Sequence, residues 1–309
     1  MLSLQAPLLK ALPVNGLIAI IAPAGPREFD AEAAVNWFAQ RGFGCRLYPS
    51  ATTHGGYLAG ADACRLADLH AAFADPQVDA IICLRGGYGS MRLLDGIDFK
   101  LLRDNPKPFI GYSDITALHT AIARYAGFVT FHGAMLTSEL LASRQPPTES
   151  SLFDLLQGRV RAGECLEHPE HWSLTTLLPG RAQGRLVGGN LAMIGATLGT
   201  RFDIELAGNL LFIEDIGEPL YRVDRLLTQL RLAGKFEGLQ GVLVGDFTKL
   251  GVEEMAPLLR ETFAPLGIPV LAAWRSGHCD PNLTLPLGAM MSLDADRQEL
   301  RLEQELFRL

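Results

Sequence analysis

Residues Pro108-Phe109-Ile110-Gly111-Tyr112-Ser113-Asp114-Ile115-Thr116 carry the chain's most specific chemical signal. An apolar run ends in a glycine, a lone serine follows, and Ile115, Leu118, His119 and Ile122 then open a helical pattern. A tight strand-to-helix turn of this kind lifts a serine hydroxyl clear of a sheet, as in a nucleophile elbow. N–H groups at the start of the new helix would point at an oxyanion formed above the serine. The competing reading is that Ser113 only caps the helix, and the second glycine of G-x-S-x-G is absent.

A nucleophilic serine needs a base, and the base needs an orienting group. Of seven histidines, His278 lies in the glycine- and proline-punctuated segment Gly277-His278-Cys279-Asp280-Pro281, after the apolar run from Ile268 to Trp274. His119 falls in the helix after Ser113 and reads as packed, and His132 is the other one near in sequence. His54, His70, His168 and His171 read as solvated surface residues. The segment Asn209-Leu210-Leu211-Phe212-Ile213-Glu214-Asp215-Ile216-Gly217-Glu218 is an apolar strand ending in carboxylates. Acids there are costly unless they are hydrogen-bonded or sit at a site edge. The plain alternative for Asp215 or Glu218 is a cap on the next helix.

Together, Arg85-Gly86-Gly87-Tyr88-Gly89-Ser90, Gly111-Tyr112-Ser113-Asp114, Gly188-Gly189-Asn190-Leu191, Phe212-Ile213-Glu214-Asp215 and Gly277-His278 resemble the LD-carboxypeptidase family of serine peptidases. That family includes murein tetrapeptide carboxypeptidases and microcin C immunity peptidases. The resemblance runs from Ile18 to about Ala289 with every motif in order. It implies a catalytic triad of Ser113, Glu214 and His278, and an oxyanion hole at the backbone N–H groups of Gly87 and Asp114. It also implies cleavage of an L,D bond to a terminal D-alanine in murein tetrapeptides. The alternatives are an immunity-type peptidase cleaving a peptide-nucleotide amide, and a two-domain ligand-binding protein with a degenerate site. Immunity members tend to carry extra loop sequence around the cleft, and no obvious insertion is seen here.

A carboxypeptidase must read a free carboxylate, which favours a guanidinium. Arg85 and Arg222 are candidates by position. Asn190, after two glycines, is either a substrate contact or a turn residue. The side chain of Asp114 reads as a helix N-cap. The Gly86-Gly87-Tyr88-Gly89 turn is not G-x-G-x-x-G and lacks a following Lys-Ser/Thr, so a nucleotide loop is disfavoured.

The elements that must position these residues form two patterns. Over residues 17–140, short β runs alternate with helices, which predicts a doubly wound parallel sheet with the site at its C-terminal strand ends. The fold class expected is α/β: an N-terminal parallel-sheet domain with a nucleophile elbow (1–160), a linker (161–179) and a C-terminal mixed α+β domain (180–309). With the serine in one domain and acid and base in the other, the site belongs in the cleft between them.

Composition sets the remaining expectations. The chain has 309 residues, 48% of them hydrophobic, and a formal net charge of −7 with scattered basic residues, so no nucleic-acid footprint is present. Five cysteines without C-x-x-C spacing argue against a disulfide framework and a zinc site. No cofactor and no metal are expected. No run approaches ~20 apolar residues and no signal peptide is recognisable. A cytoplasmic protein without membrane contact is the resulting expectation; a homodimer is expected beside it, though not from composition.

Overall fold

The computed structural model describes residues 7–142 and 144–308. A six-stranded sheet runs in the order Leu285–Leu287, Thr130–His132, Phe109–Gly111, Val78–Cys83, Leu17–Ile21, Gly44–Leu47. All its neighbours are parallel except the first pair. Ile18–Ile21 and Ala80–Cys83 are continuous apolar runs, and all of these residues are fully buried. That is how strands covered on both faces read. Helices Ala31–Ala39, Asp62–Ala74 and Thr116–Tyr125 lie between these strands in the chain. Asp30 caps the first of them by accepting the Ala33 N–H at 3.0 Å.

A second, seven-stranded mixed sheet has the order Glu299–Leu302, Met290–Asp294, Arg181–Asn190, Leu210–Ile216, Gly241–Thr248, Val270–Ala272, Thr175–Leu178. Its four central strands are parallel and its edges antiparallel. The strand Leu210–Ile216 separates two cores by its alternation: Leu210 and Phe212 join the larger core, Leu211 and Ile213 the smaller one. The helix Leu220–Leu232 packs on the smaller core through Val223, Leu227 and Leu230, whose spacing of four and three residues keeps them on one face.

Two features correct the expected division of the chain. Thr175–Leu178, placed in the linker 161–179 from its loose patterning, is an edge strand of the second sheet. Leu285–Leu287, placed in the C-terminal domain, pairs with Thr130–His132 and closes the edge of the first sheet. Pro286 within it fits an edge, where one ladder hydrogen bond is not needed. Among the described residues no helix is long and apolar enough to cross a membrane.

Candidate active site

Ser113 sits between the strand Phe109–Gly111 and a short 3₁₀ turn, Ser113–Ile115, that leads into the helix Thr116–Tyr125. Its φ is +63°, a left-handed conformation uncommon for a residue with a side chain and typical of strained functional turns. The neighbouring glycine turn makes room for it. A Cβ on Gly86 would lie 2.8 Å from Ser113 Cβ and 3.1 Å from its Oγ, so only glycine allows this approach.

His278 and Glu214 meet the serine from the C-terminal half of the chain. His278 Nδ1 lies 2.7 Å from Glu214 Oε2, and its Nε2 lies 3.1 Å from Ser113 Oγ. A carboxylate only accepts, so Nδ1 carries the proton and Nε2 presents its lone pair to the serine hydroxyl, which donates. Glu214 is fully buried. It shares the strand face of Leu210 and Phe212, which turn toward the first sheet's core, while Asp215 falls on the opposite face. Gly277, at φ +114°, lets the His278 loop close over the acid; a Cβ there would lie 2.6 Å from Glu214 Oε2.

Burial by itself would lower the His278 pKa. The hydrogen bond and charge of Glu214, with Asp215 and Glu139 beyond, outweigh it and raise the value above the usual 6.5. Only the neutral imidazole can take the serine proton. Turnover should therefore fall as pH drops, along a limb centred above 6.5, and Glu214→Gln should move that limb down. A kcat/KM profile checks this; a limb that Glu214→Gln leaves in place would assign it to another group.

The resemblance expects an oxyanion hole at the backbone N–H groups of Gly87 and Asp114. The carbonyl of Gly86 accepts the Gly25 N–H at 3.1 Å, so the trans peptide turns the Gly87 N–H away from Gly25. Among the described residues neither the Gly87 nor the Asp114 N–H donates to a backbone carbonyl of another element. The Asp114 side chain is not the helix N-cap expected from its position. It accepts the Ser90 N–H at 2.8 Å, and its carbonyl accepts the Ser90 hydroxyl at 2.6 Å. These two bonds tie the serine turn to the glycine turn.

A cleft of about 540 Å³ opens beside His278, lined among others by Arg27, Arg85, Glu139, Arg144 and Ile216. Arg85 donates to the Pro26 carbonyl at 3.3 Å, and its Nη2 is 3.7 Å from where a Gly87 Cβ would be. Neither Arg27 nor Arg85 pairs with a carboxylate among the described residues. Arg222 does not line this cleft; it is about half exposed and forms an ion pair at 2.7 Å with Glu218, four residues earlier. Asn190 is not free for substrate either. It caps the helix Leu191–Thr197 by accepting the Met193 N–H at 3.1 Å, and it donates to Asp215 Oδ1 at 3.0 Å.

Asp215 also accepts the Ala192 and Ile216 N–H groups, so it serves the same preceding helix rather than the next one. Burial raises its pKa to about 6 against these donors. His119 is packed, bonded to Thr130 and to the Gly111 carbonyl. His168, expected at the surface, accepts the Arg275 N–H and lies against Trp274. His70 likewise accepts the Asp98 N–H. Among the described residues no three His, Cys, Asp or Glu side chains gather as a metal cluster, and Cys279 Sγ donates to the Pro281 carbonyl.

Sequence reading missed Arg27, Tyr112, Glu139 and Arg144. Arg27 had a usable signal, because it follows the first strand at the end of the sheet where ligands bind. Glu139 had none: it sits alone in a short apolar segment and is brought in by tertiary packing.

Family comparison agrees with this architecture. Residues 18–133 match the LD-carboxypeptidase N-terminal domain and residues 183–293 its C-terminal domain. The chain belongs to the LD-carboxypeptidase family, and is a peptidase by that membership. It is 41% identical to the "Probable murein peptide carboxypeptidase" of Bacillus subtilis, over 92% of this chain and 91% of that one. Its fold is similar to that of the microcin C7 self immunity protein MccF in its wild-type apo state (TM-score 0.88, 27% identity, 98% and 100% of the two chains). It is also similar to the muramoyltetrapeptide carboxypeptidase from Oxalobacter formigenes (TM-score 0.76, 28% identity, 93% and 97%).

Proposed function

We propose that this protein is a serine-type LD-carboxypeptidase that hydrolyses the bond to the terminal D-alanine of murein tetrapeptides, in the cytoplasm, during wall recycling. The observation that carries the reading is the hydrogen-bonded line from Ser113 through His278 to Glu214, beside a cleft with two arginines that pair with no carboxylate among the described residues. The names borne by the Bacillus and Oxalobacter relatives support the substrate class.

Ser113 Oγ attacks the scissile carbonyl while its proton passes to His278 Nε2. Glu214 holds the imidazole in the required tautomer and stabilises the imidazolium. The N–H groups of Gly87 and Asp114 receive the oxyanion. His278 then returns the proton to the departing amine of D-alanine, leaving an acyl-enzyme that water hydrolyses. Arg85, next to Gly87, binds the terminal carboxylate, and Arg27 adds positive charge to the same cleft.

The test is release of D-alanine from L-Ala-γ-D-Glu-diaminopimelate-D-Ala by the purified protein. Activity should persist after prolonged dialysis against EDTA, because the nucleophile is a side chain. Loss of activity restored by zinc would overturn the mechanism. The likeness to MccF supports a second reading, cleavage of a peptide-nucleotide amide. An aminoacyl sulfamoyl adenosine tested in parallel separates the two: turnover of it alone, with no D-alanine released, would replace the murein assignment.

A further inference from the structure

Glu139 is a carboxylate that the triad chemistry does not use, and its burial calls for a reason. It is only 3% exposed, an environment costly for a carboxylate without partners. Burial accordingly pushes its pKa up. Both oxygens are engaged. Oε1 accepts the Tyr112 hydroxyl at 2.6 Å, and Oε2 accepts the Met135 N–H at 2.9 Å.

What this pair holds is the ring of Tyr112. That ring stands edge-on to the His278 imidazole, with centroids 4.9 Å apart and planes at 66°. On another side it contacts the buried ring of His132 at 5.5 Å. Tyr112 is also the residue immediately before Ser113, so the nucleophile and the ring beside the base share one stretch of backbone. His278, by contrast, arrives on a loop from the far half of the chain. Glu214 holds its Nδ1 at 2.7 Å and the Ser113 hydroxyl meets its Nε2 at 3.1 Å, but neither bond sets the tilt of the ring about the line that joins them. An aromatic wall fixed at its own far end removes that freedom.

We propose that Glu139 is a positioning residue for the general base: by clamping the Tyr112 hydroxyl it fixes the ring that backs His278 and keeps Nε2 in line with Ser113 Oγ. This inference rests on the serine-triad reading above. Glu139 acts through Tyr112 and has no part in bond making.

Tyr112→Phe, Glu139→Gln and the double variant test it. Three quantities are read: steady-state D-alanine release, the rate at which a small fluorophosphonate phosphonylates Ser113, and the thermal midpoint. Each single variant should slow both kcat and phosphonylation about tenfold, with KM within about twofold of wild type. Glutamine offers one amide oxygen to the two donors that the carboxylate served, and Tyr112→Phe removes one of those donors; both loosen the same clamp, so the double variant should be no slower than the slower single. Tyr112→Phe keeps the ring's volume, so it carries the test alone if Glu139→Gln does not accumulate as folded protein.

Phosphonylation at the wild-type rate in the single variants would overturn the proposal, even with a lowered midpoint. A raised KM with unchanged kcat would make Glu139 a substrate contact instead, and multiplicative losses in the double variant would show two independent roles. Wild-type protein that neither releases D-alanine nor reacts with the fluorophosphonate would refute the triad itself, an outcome distinct from all of these.

Discussion

Ser113→Ala protein should fold normally and release D-alanine about 10⁴–10⁶ times more slowly than the wild type. The loss is large because triad members act as a unit, so removing the nucleophile forfeits base and acid along with it. The fold should survive because, among the described residues, the hydroxyl's only side-chain partner is His278 Nε2, at 3.1 Å. Alanine retains the Cβ that packs against Gly86. The thermal midpoint should therefore move by no more than about 3 °C. Steady-state kinetics and a melting curve on the same preparation check both halves. Near-normal turnover would remove Ser113 from the reaction, whereas a collapsed midpoint would leave the loss uninterpretable as chemistry and direct the test to Ser113→Gly.

The second large effect separates two adjacent acids. Glu214→Gln keeps the size and shape of the orienting group but loses its charge and permits the wrong imidazole tautomer, so kcat should fall roughly 10²–10⁴-fold. Asp215→Asn should cost less than about tenfold in kcat. Its penalty appears as stability. Asp215 accepts N–H groups from Asn190, Ala192 and Ile216, and an amide would turn a donor toward at least one of them, at about 1–3 kcal/mol. The raised pKa of Asp215, about 6, adds a pH signature. A carboxyl that folding makes harder to ionise stabilises the native state most below its unfolded pKa, and this contribution fades as pH rises through about 6. A catalytic collapse in Asp215→Asn with Glu214→Gln nearly silent would mean that the orienting acid has been placed one residue off.

These two acids also show how far the sequence could be read. Alternation along a strand requires that only one of Glu214 and Asp215 face His278. Which one depends on which face of Leu210–Ile216 meets the first sheet, and that is a tertiary fact carried by Phe212 joining the larger core. Family resemblance supplied the choice where periodicity could not. Long apolar strands such as Leu17–Ile21 and Val78–Cys83 were legible because burial on both faces leaves a continuous signature. Thr175–Leu178 and Leu285–Leu287 were not. Each is at most four residues long at a sheet edge, and the second contains Pro286.

The candidate binding residues divide along the same line. Arg85 lies in the cleft, held there by the Pro26 carbonyl next in the chain to Arg27. Arg222 had an equal claim by position, but it pairs with Glu218, just ahead of its helix. Asn190 follows two glycines and so reads as either a substrate contact or a turn residue. Those glycines instead lie within the strand Arg181–Asn190, whose last residue caps a helix that had not been anticipated. Glu139 and Tyr112 are joined only by folding, since 27 residues separate a hydroxyl and a carboxylate that lie 2.6 Å apart.

The central claim is that Ser113 is the nucleophile of D-alanine release. Its most direct test is graded labelling of the protein with a fluorophosphonate, with the adduct mapped by peptide mass spectrometry and residual D-alanine release measured at each stage. One adduct per chain, on Ser113, is expected, with activity falling in proportion to occupancy. Full activity in fully labelled protein, or inactivation tracking an adduct on any other residue, would contradict it.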